Sequence, residues 1–398
     1  MEVLLVGGAV RDQLLGLPVK ERDYVVLGAT PEQMIAAGFY TVGKYFPVFL
    51  HPLTHEEYAL ARTERKTGPG YKGFTCYAEP DVSLTDDLRR RDLTINAMAQ
   101  TAQGEIIDPY NGQADLTNRY LRHVSPAFTE DPVRVLRLAR FMARFAHLDF
   151  RIAEETLELT KRMVDAGELS ALAPERIWRE FSLALTEPTP QAFIKVLLQC
   201  GALAAMCATP RVNNDLSSKQ RITLRYAISS LKKAAQLTED PQIRFAALYG
   251  ALSTHCSCVD KPSNSTTDAI QGLSQRYGIP ARYTTLARMT AHYQSLSHQA
   301  LQLPAPRLLE LLAKTDAFRK TERFKQFLLA CEIIFNATIA RPSNSVPPYP
   351  QKAHLLSALT VAQAVSVKAL LAQGLTGIAL AKQLQLQRIN AIETSLYP

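Results

Sequence analysis

Residues 4–26 read LLVGGAVRDQLLGLPVKERDYVV and carry the densest chemistry in the chain. Gly7-Gly8 closes an apolar run and opens a short helical pattern. Two residues without Cβ let backbone N–H groups approach a phosphate, and a helix N-terminus favours an anion. Arg11, on the first turn of that helix, has the reach to meet a triphosphate, and Gly8 gives the closest backbone approach. Glu21 and Asp23 then stand two apart at the entry of DYVVL. A strand's period of two puts both carboxylates on one face, roughly 6–7 Å apart. Hard oxygens so spaced suit Mg²⁺. Phosphoryl transfer uses two such ions about 3.5–4 Å apart, one activating the attacking oxygen and one steadying the leaving group. An E-R-D triplet alone is most often a solvated turn. Following strand, Gly-Gly and helix, it reads as a metal site for phosphoryl transfer.

The elements that must hold these groups form a small α/β pattern over the first 120 or so residues. Val3–Val6 reads as a strand, Ala9–Leu15 as a short helix and Asp23–Leu27 as a second strand. Thr30 caps a helix, with Pro31 at its first position and Glu32 in its first turn. Val48–Leu50, Glu57–Ala61 and Glu105–Asp108 are further strands, and Asp86–Met98 a helix opening on the charged run Arg89–Asp92. Between them Thr67–Phe74 (TGPGYKGF) is glycine-rich and reads as a mobile loop.

Beyond about residue 128 the pattern is helical: Glu130–Phe145, Ala153–Val164 and Gln191–Leu198 are helices. On the first of these Asp131, Arg134, Arg137, Arg140 and Arg144 recur at helical spacing and form one polar stripe. One acid against four arginines leaves a positive excess that calls for an anion. Ser263–Thr267 reads as a polar loop, Arg341–Pro350 as a Pro/Ser-rich linker, and the last 45 or so residues as one or two helices around Gly374 and Gly377.

Length and composition bound the reading. At 398 residues the chain is too long for one core and implies two to four domains. With 47% hydrophobic and 21% charged residues it has a globular composition. It shows no run of about 18 apolar residues and no basic, long-apolar leader. A cytoplasmic location is expected. The six cysteines have neither disulfide nor zinc-knuckle spacing and read as reduced thiols. Net charge is +8: residues 1–150 hold 17 Lys+Arg against 19 Asp+Glu (−2), leaving 28 against 18 (+10) behind. That asymmetry suits metal ions in front and a polyanion behind.

In order along residues 1 to about 200, VGGAVRD with E-R-D, RRDLTINAM, DPYNGQADL, EDPVRVLRLARF and PERIWRE resemble the bacterial class II CCA-adding tRNA nucleotidyltransferases. The resemblance implies an α+β chain with a DNA polymerase β-type head of mixed sheet and helices, then an all-α neck, body and tail. We expect the boundaries 1–125, 126–205, 206–340 and 341–398. It implies template-independent addition of the 3′-terminal CCA of tRNA from CTP and ATP, with tRNA acceptor arm and elbow as partner. Unstable tRNAs receiving a second CCA is implied too. Glu21 and Asp23 would hold Mg²⁺ and be catalytic. Arg91 would hold nucleotide phosphates, and Asp92 would read the ribose 2′-hydroxyl. Asp131 and Arg134 would read the base. Cytosine and adenine both present an amino donor beside a ring-nitrogen acceptor, which a carboxylate and a guanidinium match; guanine and uracil present the reverse. Arg137 and Arg140 are expected on the base or triphosphate. Glu21 departs from the family, where Asp is commoner.

Many relatives carry a His-Asp phosphohydrolase domain. This chain has no His-Asp dipeptide, and His255 lacks an adjacent acid; an intact phosphohydrolase is not expected. The glycine-rich loop is expected to help the switch from adding C to adding A, and GLTGIALAKQLQLQR at 374–388 resembles the family's elbow-gripping tail. A monomer is favoured and no membrane partner is expected. A bacterial poly(A) polymerase, which shares head and neck, is the alternative, and a non-catalytic RNA-binding protein a lesser one.

Overall fold

The computed structural model describes residues 1–42, 48–66, 74–207, 218–254, 264–338 and 348–397. It divides into two units, Met1–Val212 and Asn213–Pro398.

The first unit opens with a mixed sheet. Its elements are β1 (Glu2–Val6), α1 (Gly8–Leu14), β2 (Asp23–Leu27), α2 (Pro31–Ala36), β3 (Tyr40–Val42), β4 (Val48–Leu50) and β5 (Glu57–Leu60). There follow β6 (Thr63–Lys66), β7 (Phe74–Tyr77), α3 (Leu84–Arg89), β8 (Ala99–Gln100) and β9 (Ile106–Ile107). The sheet order is β3-β4-β5-β2-β1-β8-β9, and β2 runs parallel to β5. Strand alternation explains the two cores. Leu4, Val6 and Val25 pack with Leu88, Ala97 and Ala99, while Val26 and Leu60 pack with Met34 and Phe49. Thr30 caps α2 in a reciprocal capping box with Gln33. The strands β6 and β7 pair antiparallel, so Phe74 belongs to a strand rather than to the expected loop. The remainder of that loop, 67–73, lies outside the described residues.

The expected helix Asp86–Met98 is corrected. Ser83 caps α3 three residues before Asp86, and the helix stops at Arg89. Asp92 then takes the Leu93 N–H (2.8 Å) and the Asn96 amide (2.9 Å) on its own carboxylate, bending the chain into a 3-10 turn over Thr94–Asn96. The DPYNGQADL segment supports that turn from below. Asp108 caps α4 (Gly112–Asn118) through the Gly112 and Gln113 N–H groups, and Asp115 accepts from Thr94 Oγ1 at 2.7 Å. Gly112 is required by contact: a Cβ there would stand 2.4 Å from the Thr94 carbonyl.

The short parallel pair β10 (Tyr120–Leu121) and β11 (Arg151–Ile152) brackets α5 (Val133–Phe145). Then come α6 (Glu154–Asp165), α7 (Pro174–Thr186), α8 (Pro190–Gln199) and α9 (Ala202–Cys207), with α5 packed on α7 and α8. The α5 sequence buries Val133, Leu136, Ala139 and Phe141 and leaves Arg134, Arg137, Arg140 and Arg144 half-buried. Asp131 is corrected: it is extended, at φ −121°, and precedes the helix because Pro132 disfavours helical conformation before it.

The second unit is helical throughout its described residues: α10 (Ser218–Leu237), α11 (Pro241–Thr254), α12 (Asn264–Tyr277), α13 (Ala281–His298), α14 (Ala305–Lys314), α15 (Thr321–Thr338), α16 (Pro350–Ala364), α17 (Val367–Ala372) and α18 (Gly377–Leu396). Here α11 packs among α10, α13 and α15, and α16 packs on α14 and α18. Asn264–Thr267 begins α12 instead of forming a loop, in keeping with the preference of Asn, Ser and Thr for helix starts. Ser263, His255, Cys256, Cys258 and residues 341–347 lie outside the described residues. Cys76, Cys200 and Cys331 are free thiols.

One sequence expectation is overturned in this unit. Pro350–Ala372 is long and apolar enough to cross a membrane by length and composition, an 18-residue window within it reaching a mean hydropathy of 1.7. The backbone divides it: Val365 is extended, and Ser366 starts a new helix by accepting the Ala369 N–H. Leu355, Ala358, Leu359 and Ala362 are buried within the unit.

His298 gives this unit an acid-sensitive core. Its Nδ1 lies 2.9 Å from the Tyr349 hydroxyl, which is 3.1 Å from Ser297 Oγ, and burial lowers the imidazole pKa to about 4. An unfolded histidine titrates near ~6.5. Between these values the unfolded chain binds a proton that the folded one refuses, so stability is lost as pH falls from 6.5 towards 4. The loss amounts to about 3 kcal/mol. Melting temperatures at pH 7 and pH 4.5 should therefore fall less for His298→Gln than for the unaltered chain. An equal fall in both would assign the acid limb elsewhere.

Candidate active site

Strand register builds the site. Antiparallel pairing sets Val6 opposite Asp23, and parallel pairing sets Asp23 opposite Glu57. The next step sets Tyr24 against Tyr58, whose rings stack at 4.5 Å. Gly7 follows Val6 directly and donates its N–H to the Met98 carbonyl at 3.1 Å. The Gly-Gly turn, Asp23 and Glu57 are thus neighbours at one end of three adjacent interior strands.

Glu21, Asp23 and Glu57 are open to solvent. Even so, desolvation raises the Asp23 pKa above the ordinary carboxylate value, and the negative charges of Glu57 and Glu21 add to the rise, against Arg91. Asp23 is therefore a carboxylate short of positive charge. Among the described residues no three His, Cys, Asp or Glu side chains close on one point as a ready metal cage. The donor set fits a hard divalent cation that keeps waters and substrate phosphates among its ligands.

Two guanidinium groups close on the turn. Gly7 has φ +73°, and a Cβ on it would stand 2.7 Å from Arg91 Nη1. One on Gly8 would stand 3.2 Å from Arg11 Nη2. Asp87 steadies Arg91 at 3.3 Å and Arg90 at 2.6 Å. Arg11 is only 3% exposed. Its guanidinium meets Asp12 at 2.9 Å and Asn96 Oδ1, over the rings of Phe141 and Phe145.

The α5 arginines are spoken for within the fold, which corrects the expected charge excess. Arg137 donates to Asp92 at 2.8 Å, Arg140 to Glu180 at 2.6 Å and Arg144 to Asp12 at 2.8 Å. These acids come from distant segments and neutralise the stripe. Burial alone would raise the Asp92 pKa, but Arg137, Asn96 and Arg134 hold it well below the carboxylate range. Arg137, Asp92, Asn96, Arg11, Asp12 and Arg144 thus form one continuous chain of contacts from α5 to α1 and back. Asp131 and Arg134 sit at the start of α5, where the Arg134 N–H donates to the Asp131 carbonyl at 3.0 Å. The Arg134 guanidinium donates to the Ala127 and Arg90 carbonyls. Arg176 from α7 holds both Asp131 oxygens, at 3.0 and 2.7 Å.

Sequence reasoning missed Glu57 and Arg176. Glu57 had a signal: Asp23-Tyr24-Val25-Val26 and Glu57-Tyr58-Ala59-Leu60 share the order acid, Tyr, apolar, apolar. Arg176 lies within PERIWRE, whose sequence says nothing of its partner.

Residues 3–122 match the family described as Poly A polymerase head domain, and 149–214 the one described as Probable RNA and SrmB-binding site of polymerase A. The chain is 50% identical to the Multifunctional CCA protein of Thioalkalivibrio sulfidiphilus, covering 99% of this chain and 98% of that one. It is also 50% identical to the Multifunctional CCA protein of Nitrosococcus oceani, covering 100% and 99%. The fold is shared with a CCA-adding enzyme solved with CTP (TM-score 0.67, 21% identity, 98% of this chain and 87% of that one). It is shared too with the Thermotoga maritima CCA-adding enzyme complexed with tRNA-CCA (TM-score 0.67, 20% identity, 99% and 88%).

Proposed function

The chain belongs to the family of bacterial class II CCA-adding tRNA nucleotidyltransferases, and on that premise we propose how its residues divide the work of adding CCA from CTP and ATP. The observation that carries the reading is the juxtaposition of Asp23 and Glu57 with the Gly7-Gly8 cradle under Arg91. Family members of the polymerase β type use divalent metal. Here Glu21 and Asp23 hold Mg²⁺, with Glu57 as a third acid beside them. Divalent ions held there would supply activation of the attacking 3′-hydroxyl and charge relief on the departing pyrophosphate. Gly8 offers backbone to the triphosphate, Arg91 meets its charge from above, and Arg11 braces the floor. Asp92, ionised by Arg137, accepts from the ribose 2′-hydroxyl. Asp131 and Arg134 read the base edge, flanked by Arg137 and Arg140 along α5.

The same proposal divides the chain into head (1–125), neck (126–205), body (206–340) and tail (341–398), and places the reaction in the cytoplasm. The second unit's excess of basic residues serves the tRNA phosphates. Primer extension tests the whole reading. A tRNA transcript lacking CCA, with Mg²⁺, should gain two C from CTP alone and a terminal A once ATP is added. A long A tail would favour a poly(A) polymerase, the reading that the head-domain match alone would allow.

A further inference from the structure

We propose that Arg176 is a specificity-determining positioning residue: by clamping the Asp131 carboxylate it fixes the one oxygen that is offered to an incoming base. The proposal rests on the reading of Asp131 and Arg134 as the base-selecting pair.

Five contacts carry it. Asp131 lies in an extended segment just before α5, and the only backbone group among the described residues that holds its side chain is the first N–H of that helix. Its Oδ1 accepts from Arg176 Nη1 at 3.0 Å and from the Val133 N–H at 3.2 Å. A carboxylate oxygen has two good acceptor directions, and both on Oδ1 are taken. Oδ2 accepts only from Arg176 Nη2, at 2.7 Å, among the described residues. One acceptor direction, on Oδ2, is therefore left for the amino group of cytosine or adenine. The guanidinium fork spans both oxygens, which stops rotation about the Cβ–Cγ bond. The pair is partly buried, at 27% and 21% side-chain exposure for Arg176 and Asp131. Arg134 is anchored separately through two backbone carbonyls. Acceptor and donor are thus held by different elements, α7 and the Ala127–Arg90 backbone, at a fixed spacing that a template base would otherwise supply. Without the clamp, Asp131 can turn, and discrimination against uracil and guanine falls. No catalytic atom is displaced.

The full-length protein is assayed on a tRNA transcript lacking CCA, and kcat/KM for CTP is compared with that for UTP. Arg176→Gln should lower the CTP-to-UTP ratio by about 10- to 100-fold, the range expected when a polar group loses its matched partner. The change should appear mainly as a raised KM for CTP, with kcat at saturation little altered. Arg176→Lys keeps the charge but cannot span both oxygens, and should lose about tenfold of the ratio. If Arg176→Gln fails to fold, the lysine variant decides the matter, and wild-type discrimination in it overturns the proposal. Asp131→Ala separates the premise from the inference. If it leaves the ratio intact, the base-selecting reading itself fails. If it collapses the ratio while either Arg176 variant does not, the positioning role alone is overturned. In the Asp131→Ala background, Arg176→Gln should have no further effect on the ratio. A further loss there would assign Arg176 to some other action and overturn the clamp.

Discussion

Asp23→Asn should abolish nucleotide addition, by on the order of 10³-fold or more in kcat, while leaving the metal-free protein at least as stable as before. On the proposed metal role of Asp23, the activity loss follows from removing one hard anionic ligand from a cation that would be worth several kcal/mol to the transferred phosphoryl group, at about 1.4 kcal/mol per tenfold. The stability expectation follows from the electrostatics. Desolvation, Glu57 and Glu21 all disfavour the Asp23 carboxylate, and Arg91 only partly opposes them. A neutral amide of the same shape removes that repulsion. Melting in EDTA and in Mg²⁺ reads both halves. The unaltered chain should melt higher in Mg²⁺, and Asp23→Asn should lose that increment. Glu57→Gln should do the same in smaller degree. Full activity in Asp23→Asn, or an undiminished Mg²⁺ increment, would remove Asp23 from the metal site.

The same site shows how far the sequence could be read. Glu21 and Asp23 were legible because their spacing falls within one strand entry, and a strand's alternation is a local rule. Glu57 was not, since its nearness to Asp23 is a matter of parallel register between β2 and β5, set by non-local pairing. The helix read over Asp86–Met98 stopped at Arg89, and beyond it the Asp92 carboxylate takes the Leu93 N–H that a continuing helix would have used, with the Asn96 side-chain amide beside it. Helix boundaries of α5 were legible to within three residues, and its arginine face was found. Its neutralisation was invisible because Asp12, Glu180 and Asp92 lie between 40 and 132 residues away along the chain. The strands β3, β10 and β11, of two or three residues, are too short to show a period.

Gly7→Ala should cost nearly as much activity as loss of a metal ligand, and by a different route. Two independent observations require glycine there. The backbone stands at φ +73°, ψ −126°, a conformation an L-side chain occupies only under strain of about 1–3 kcal/mol. The added methyl would also stand 2.7 Å from Arg91 Nη1, the group proposed to meet the triphosphate. Arg91 must then move or the turn must open, and either separates the guanidinium from the backbone N–H groups it works beside. We expect kcat/KM for both CTP and ATP to fall by about 100-fold, since misplacement near 1 Å carries such a penalty. The KM for nucleotide should rise and the melting temperature should drop. Gly8→Ala supplies the contrast. Its Cβ would meet Arg11 Nη2 at 3.2 Å, from an ordinary helical backbone. It should hold its melting temperature and weaken nucleotide binding alone. Equal melting of both variants would mean that the strain at Gly7 is not real. Unchanged nucleotide KM in both would mean that the turn is no phosphate cradle, whatever the metal site does.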